Sequence, residues 1–344
     1  MTNHSGPDTD LLALVEDYFS KTFSADVIAD AEQHGLSPQL WASTEELGLT
    51  LIGINEQHGG SGGSLLDLLA VAEGTGRHAV PLPVAETGLA SWLFACADVE
   101  VPTGPLAVVP DASGLSLTGN RLSGRATHIP WARGARRVVA LLNGRVVSID
   151  PARLHITAGS DLAGMPRDTV NGADVEVDVY ESGVDADDML LRGALLRAAQ
   201  IAGAISAAFE LTNRYVKQRV QFGKPIGTFQ SVQAHVVELA EVSALTTLCV
   251  ERAGAAALRG PASLEIAATK SVANRNARLA SRAAHQAHGA IGMTREYPLQ
   301  LLTRRLHTWR GDFGDETALN LRLGVAAAGG IAAAVTSVGS TLGV

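Results

Sequence analysis

The stretch Arg219-Val220-Gln221-Phe222-Gly223-Lys224-Pro225-Ile226-Gly227-Thr228-Phe229-Gln230 separates two long runs of helical periodicity. Before it, Leu195 to Gln218 reads as one helix, with Leu196, Ile201, Ile205, Phe209 and Val216 at helical spacing. After it, Val232, Val236, Leu239, Val242 and Leu245 advance by three or four residues at a time. Gly223, Pro225 and Gly227 break the pattern in between. The connector nevertheless carries a guanidinium, amides and two aromatic rings, none of which a plain helix hairpin needs. Arg219 suits a phosphate, Phe222 and Phe229 suit a ring, and Gln221 and Gln230 suit polar edges. The competing reading is a helix turn with a solvated arginine.

The stretch resembles the R-x-Q-F-G-K-P-I-x-x-F-Q signature of the acyl-CoA dehydrogenase family. A second run, His285-Gln286-Ala287-His288-Gly289-Ala290-Ile291-Gly292-Met293-Thr294 followed by Glu296-Tyr297-Pro298-Leu299, is similar to that family's Q-x-x-G-G-x-G-x-T and acidic-aromatic-Pro step. Glu46-Leu47-Gly48-Leu49 and Glu56-Gln57-His58-Gly59-Gly60-Ser61-Gly62 add a looser match near the start. The resemblance implies an α+β chain, mainly α, in three parts: an N-terminal helical domain, a middle β-barrel-like domain and a C-terminal four-helix bundle. It implies FAD, an acyl-CoA thioester substrate and an electron-transfer flavoprotein as acceptor. It also implies that Arg219, Gln221, Phe222, Phe229 and Gln230, with Gln286, Gly289 and Ala290, hold the adenine-pyrophosphate half of a neighbouring subunit's flavin.

Composition sets the outer bounds. The 344 residues suffice for two or three domains, and a hydrophobic share of 46% permits a sizeable core. The formal charge of −8 argues against a nucleic-acid partner, and no run of Lys or Arg suggests a membrane surface. Cys96 and Cys249 lie far apart and predict a reducing, cytoplasmic setting without a disulfide framework. No metal-ligand spacing occurs; His285 and His288 share a helix face but lack a third ligand. Leu323 to Val344 has no charged residue and the length of a membrane span. Its Ala, Gly, Ser and Thr content predicts a final buried helix and a loose tail instead.

In chain order, helices are expected at Leu11–Phe19, Ala25–His34, Gln39–Leu47, Asp67–Arg77 and Ala85–Cys96, filling a first domain over residues 1–102. Gly59 to Gly63 reads as a flexible turn, since no Gly-Lys-Ser/Thr follows to make a phosphate loop. Residues 103–186 read as an antiparallel β-domain of short apolar runs, with Asn143-Gly144 as a hairpin turn. Residues 187–344 are helical again, with segments at Gln230–Arg259, Leu264–Gly289 (Ser263 as N-cap), Tyr297–Trp309 and Glu316–Ala328.

Two departures from the family pattern bear on function. The T-E-P-x-A-G-S-D-like loop that cradles a subunit's own flavin has no counterpart; Pro110-Asp111-Ala112-Ser113-Gly114 is a hairpin-like remnant. The W-I-S/T-N-type segment is reduced to Ala126-Thr127-His128-Ile129-Pro130-Trp131, in which Thr127 and Trp131 remain as flavin-contact candidates and packing is the favoured role. The second departure is the base. The family reaction needs a carboxylate beside the substrate α-carbon, and the usual place falls on Phe313, the minority place on Arg259. Asp312, Asp315 and Glu316 are the displaced-base candidates, against a reading as charges at a helix N-terminus. His307 is a further, weaker candidate. Arg192 and Arg197 stand near the family's CoA-facing arginine position, which falls on Ala194.

Kept cross-subunit residues, an eroded own-flavin cradle and a missing base together predict the non-catalytic partner of a heterotetrameric (α2β2) acyl-CoA dehydrogenase of the actinobacterial, steroid side-chain type. The alternatives are a self-sufficient homo-oligomer with a displaced base, and a CoA-binding or structural protein without redox chemistry.

Overall fold

A computed structural model describes residues 6–328. The chain opens with five helices: α1 (Thr9–Thr22), α2 (Ala25–His34), α3 (Pro38–Glu46), α4 (Leu65–Arg77) and α5 (Val84–Cys96). Each of the first four starts where a short polar side chain caps it. Ser64 accepts from the Asp67 amide while the Asp67 carboxylate takes the Ser64 amide, a reciprocal cap that fixes where α4 begins. The Gly59–Gly63 segment is a built turn, not a loose one. Gly62 and Ile54 bridge, and a Cβ on Gly60 would meet the Ile54 carbonyl at 2.1 Å.

Eight strands follow in two four-stranded sheets. One has the order β1 (Leu106–Val108), β4 (Arg137–Leu142), β5 (Arg145–Ile149), β8 (Asp178–Glu181). The other has the order β2 (Leu115–Thr118), β3 (Arg121–Pro130), β7 (Arg167–Glu176), β6 (His155–Thr157). All pairings are antiparallel but one: β1 runs parallel to β4, because the chain visits the second sheet between them. For the same reason Pro110–Gly114 is not a hairpin; it carries the chain from one sheet to the other. The apolar run of β4 is explained by burial on both faces. Val138 and Ala140 enter the core between the sheets, while Val139 and Leu141 join the helical core. Asn143 and Gly144 both take positive φ, 54° and 75°, as the two-residue hairpin turn requires.

The C-terminal part consists of α6 (Ala186–Gln218), α7 (Gln230–Arg259), α8 (Ser263–His288), α9 (Leu299–Trp309) and α10 (Glu316–Ala328). The helix α6 begins well before Leu195, capped by Asp185, whose side chain accepts the Asp188 amide. By length and composition α6 alone, among the described residues, is sufficient to cross a membrane, yet most of it is buried against α4, α7, α8 and α9. It crosses α4 at backbone contact. A Cβ on Gly76 would lie 1.9 Å from the Gln200 carbonyl, and one on Gly203 1.9 Å from that of Glu73. Two expectations need correction. Ser263 is the first residue of α8 rather than its cap, and Ala262 ahead of it offers no side-chain bond. Only Leu319 of α10 is buried, with Leu321 and Val325 exposed, so the last helix is not a core helix of the single chain. The rest of the expected tail lies outside the described residues.

Candidate functional site

The connector between α6 and α7 folds as a two-residue ribbon, Val220–Gln221 against Lys224–Pro225. Phe222 and Gly223 form its tip at φ 51° and 80°. A phenylalanine at positive φ costs about 1–2 kcal/mol relative to glycine, and its ring is 91% exposed. The ribbon is anchored from below. Ile226 is buried against Val216 and Ala287, and its amide donates to the Arg219 carbonyl at 2.8 Å. Phe229 carries the edge of Phe222 at 6.0 Å between centroids and the Lys224 ammonium at 4.5 Å.

This ribbon faces the end of α8 across an open cleft of about 710 Å³. Arg219, Gln221, Phe222 and Phe229 form one wall; Gln286, Gly289 and Ala290 form the other. Gln230 opens α7 and stays outside the lining. The side chains of Arg219 and Gln286 are exposed and make no hydrogen bond or ion pair with a described residue. The floor is a stack that the sequence did not announce. His288 lies flat on Tyr215 at 4.5 Å, with its Nε2 3.1 Å from the Tyr297 hydroxyl and its Nδ1 2.8 Å from the Ala284 carbonyl. A carbonyl only accepts, so Nδ1 carries the proton and Nε2 accepts from Tyr297. Burial holds the His288 pKa below the usual imidazole range, keeping the ring neutral. His288 is thus a packed wall rather than half of a metal pair, and no metal-binding cluster occurs among the described residues.

The crevice between the β-domain, α5 and α6 is built the opposite way. Asp312, just after α9, accepts both prongs of the Arg167 guanidinium at 2.8 Å; Arg197 Nε lies 3.1 Å from the same carboxylate, an ion pair out of line for a hydrogen bond. Arg197 also donates to Glu86 at 2.8 Å and to Gln200, and Gln200 donates to Thr75 at 3.0 Å. One chain of polar side chains thereby ties α4, α5, α6, β7 and the α9–α10 loop together. Phe313 fills the space beside it. Its ring sits where Gly193 leaves no side chain, 2.4 Å from a Cβ built there, and 5.9 Å from the Arg197 guanidinium. The remaining voids measure about 30 Å³ and about 10 Å³, space for a few waters and not for a flavin ring.

The flavin-contact candidates of the β-domain follow suit. Trp131 is buried against Ala163, Met165 and Leu36, and Thr127 is exposed beside His128. The displaced-base candidates are each employed otherwise. Burial raises the Asp312 pKa, but Arg197 and Arg167 more than offset it and leave the carboxyl below its usual range. A carboxylate held this way is a poor proton acceptor. Asp315 accepts the Ala318 amide at 2.8 Å at the start of α10, and Glu316 pairs with Arg310 at 2.5 Å. His307 keeps much of its surface in solvent, and the partial desolvation of its ring, with the Arg310 charge nearby, lowers its pKa. Arg197 is consumed inside the crevice, while Arg192 points to another face of α6. The partners of Asp312 were missed because they lie far off in sequence. A signal did exist, namely Glu86, Arg197 and Gln200 standing inside otherwise apolar helical runs.

Comparison with known proteins agrees with this architecture. Residues 8–98 match the family model described as acyl-CoA dehydrogenase, N-terminal domain, and residues 185–314 the one described as acyl-CoA dehydrogenase, C-terminal domain. The chain is 29% identical over 286 residues to acyl-CoA dehydrogenase IpdE2 of Mycolicibacterium smegmatis, covering 79% of this chain and 83% of that one. It is 30% identical over 243 residues to acyl-CoA dehydrogenase FadE28 of Mycobacterium tuberculosis, covering 62% and 69%. Among solved structures, a variant of the Tcur3481-Tcur3483 steroid ACAD superposes with a TM-score of 0.86 at 24% identity, over 94% of this chain and 98% of that one. The ChsE4-ChsE5 complex from Mycobacterium tuberculosis gives 0.84 at 20%, over 95% and 98%.

Proposed function

The chain belongs to the acyl-CoA dehydrogenase family of FAD-dependent oxidoreductases, and we propose that within it this chain is the partner subunit that completes the FAD site of a homologous catalytic chain. One observation carries the reading: an open cleft with free polar groups at Arg219 and Gln286 coexists with a crevice filled by this chain's own side chains. The residues of the open cleft fit the adenine-pyrophosphate half of FAD. Arg219 offers a forked cation to phosphate, Phe222 and Phe229 offer ring faces, and Gln286 offers an amide. Those of the crevice do not fit an isoalloxazine, because Arg167, Arg197, Asp312 and Phe313 occupy the space between the β-domain and α6.

When bound in the partner's site, FAD supplies the acceptor for the hydride leaving the acyl β-carbon. This chain's residues bind and orient. Arg219 neutralises phosphate charge, and the Tyr215–His288–Tyr297 stack keeps the cleft floor rigid and uncharged. The base comes from the partner, since Phe313 stands at the base position here. Two structural relatives are described as pairs of chains, Tcur3481-Tcur3483 and ChsE4-ChsE5, the former as a steroid ACAD. They support a complex of two kinds of chain, and the first supports a steroid-type substrate. The heterotetrameric stoichiometry, a side-chain CoA ester as substrate, an electron-transfer flavoprotein as acceptor and a cytoplasmic setting belong to the proposal on the sequence resemblance alone. The test is co-expression with a homologous chain that carries a base. The flavin absorbance bands and dehydrogenase activity should appear only in the co-purified complex. A lone chain that purifies with full FAD and turns over an acyl-CoA overturns the reading in favour of the self-sufficient enzyme.

A further inference from the structure

The helix α6 presents two faces to two different spaces. Gly193, Leu196, Arg197 and Gln200 face the closed crevice. Asp188, Leu191, Arg192 and Leu195 face a separate open cleft of about 480 Å³, bounded by the end of α5, the β8–α6 connection and the first turn of α8. Such a volume is in the ordinary range for a small-molecule site.

Arg192 is the anomaly in this cleft. Its Nε is shut off from solvent and has no hydrogen-bond acceptor. Its guanidinium makes no ion pair with a described residue, and its close neighbour is the Trp92 ring, 5.4 Å to the centroid. The fully buried arginines, by contrast, have acceptors for their terminal nitrogens: Arg197 has Glu86 and Gln200, and Arg305 has the Leu301 carbonyl at 2.9 Å, while the nearly buried Arg167 has Asp312. The residue is half-buried, with only Nε fully shut off; a partly desolvated cation facing a cleft without an anion leaves its desolvation only partly repaid. Burial brings the Arg192 pKa down to about 10, so the charge persists at neutral pH. The second feature is the uncapped start of α8. Ala262 provides no side-chain acceptor, so the first-turn amides, Ser263 foremost, present the positive helix end to the same cleft.

We propose that this cleft binds a small apolar carboxylate, with Arg192 as the anchor for its anionic end. The walls support the choice of ligand. Leu65, Leu195 and Ile266 supply an apolar lining for a hydrocarbon body. Asp188 stands in the same lining, makes no ion pair with Arg192, and opposes a multiply charged group such as a phosphate monoester. One guanidinium and one helix end match one carboxylate.

Cys96 lines the cleft and Cys249 does not, which supplies a direct readout on the full chain. Alkylation of the two thiols is followed by mass spectrometry while decanoate is titrated, with 1-decanol, inorganic phosphate and CoA as comparisons. Decanoate should protect Cys96 saturably and leave the Cys249 rate unchanged, and Arg192→Met should weaken the protection at least tenfold. Arg192→Met should also melt at or above the unliganded parent, since it removes an uncompensated charge. Ser263→Glu, on the surface end of α8, tests the same site by repulsion and should abolish protection. Equal protection by 1-decanol, stronger protection by phosphate or CoA, or protection that survives either substitution overturns the proposal.

Discussion

Asp312 and Arg167 meet in a two-pronged ion pair, both contacts at 2.8 Å, that joins the α9–α10 loop to the β-domain across 145 residues of sequence. Both side chains are nearly buried, at 11% exposure each, so water screens the pair little. Arg197 shares the same carboxylate. Asp312→Ala therefore strands the Arg167 guanidinium and leaves Arg197 only Glu86 and Gln200, and should cost about 3–5 kcal/mol of stability, read as a lowered midpoint in urea. A loss below about 1 kcal/mol would show the pair to be solvated and dispensable.

The same group sets an acid limit. The folded pKa of Asp312 lies below its unfolded value of about 3.9. Its contribution is therefore complete above that value and is lost as pH falls from there through the folded pKa. Stability measured from pH 7 down to pH 2.5 should fall more steeply in the parent than in Asp312→Asn. Parallel curves would assign the acid transition to other carboxylates.

The Arg219 side chain is exposed and has no partner among the described residues, so its loss should spare the fold and strike the cofactor. Arg219→Ala in the co-purified complex should weaken FAD retention by roughly ten- to a hundredfold, the worth of about 1.5–3 kcal/mol for hydrogen bonds to a charged group. The melting temperature of the isolated chain should stay within a degree or two. Unchanged flavin content in the complex would detach this cleft from FAD.

How much of this was legible in the sequence depended on range. Asn143-Gly144 and Gly35 mark their turn and helix end because positive φ is a local demand. The cleft was legible for a similar reason, since its rings and guanidinium crowd a connector that packing alone does not explain. The strands β3 and β7 were not legible. Bulges between Leu122 and Gly124 and between Ala126 and Ile129 interrupt the alternation that would reveal them. The closure of the crevice was hidden for a third reason: Thr75, Glu86, Arg167, Arg197, Gln200 and Asp312 come together from five elements, and no local pattern pairs them.

Restoring a base should not restore an enzyme. Phe313→Glu replaces a ring that fills the gap over Gly193 with a carboxylate in a space that has no room for substrate. The lone variant should gain no acyl-CoA dehydrogenase activity and lose a few kcal/mol of stability. Turnover by Phe313→Glu without a partner would mean that the crevice opens far more readily than its ion pairs indicate.

Lys270 gives the opposite pH signature to Asp312. It is fully buried, donating to Asn274 at 2.6 Å and to the Trp309 carbonyl at 3.2 Å, and burial brings its pKa down to about 7. An unfolded lysine titrates near about 10.4, so between these values the unfolded chain holds the extra proton. Stability from this group then rises as pH climbs from about 7 towards 10, by up to about 1.4 kcal/mol per pH unit. Cys96, Cys249 and the tyrosines Tyr180 and Tyr297 work against that trend at the alkaline end, because burial raises their pKa values. The measurement that isolates Lys270 is consequently a difference: urea stability of the parent minus that of Lys270→Met between pH 6 and pH 9. That difference should grow with pH. A flat difference would show that the ammonium stays charged across the range, held by the carbonyls at the end of α9 and by Asp312 nearby.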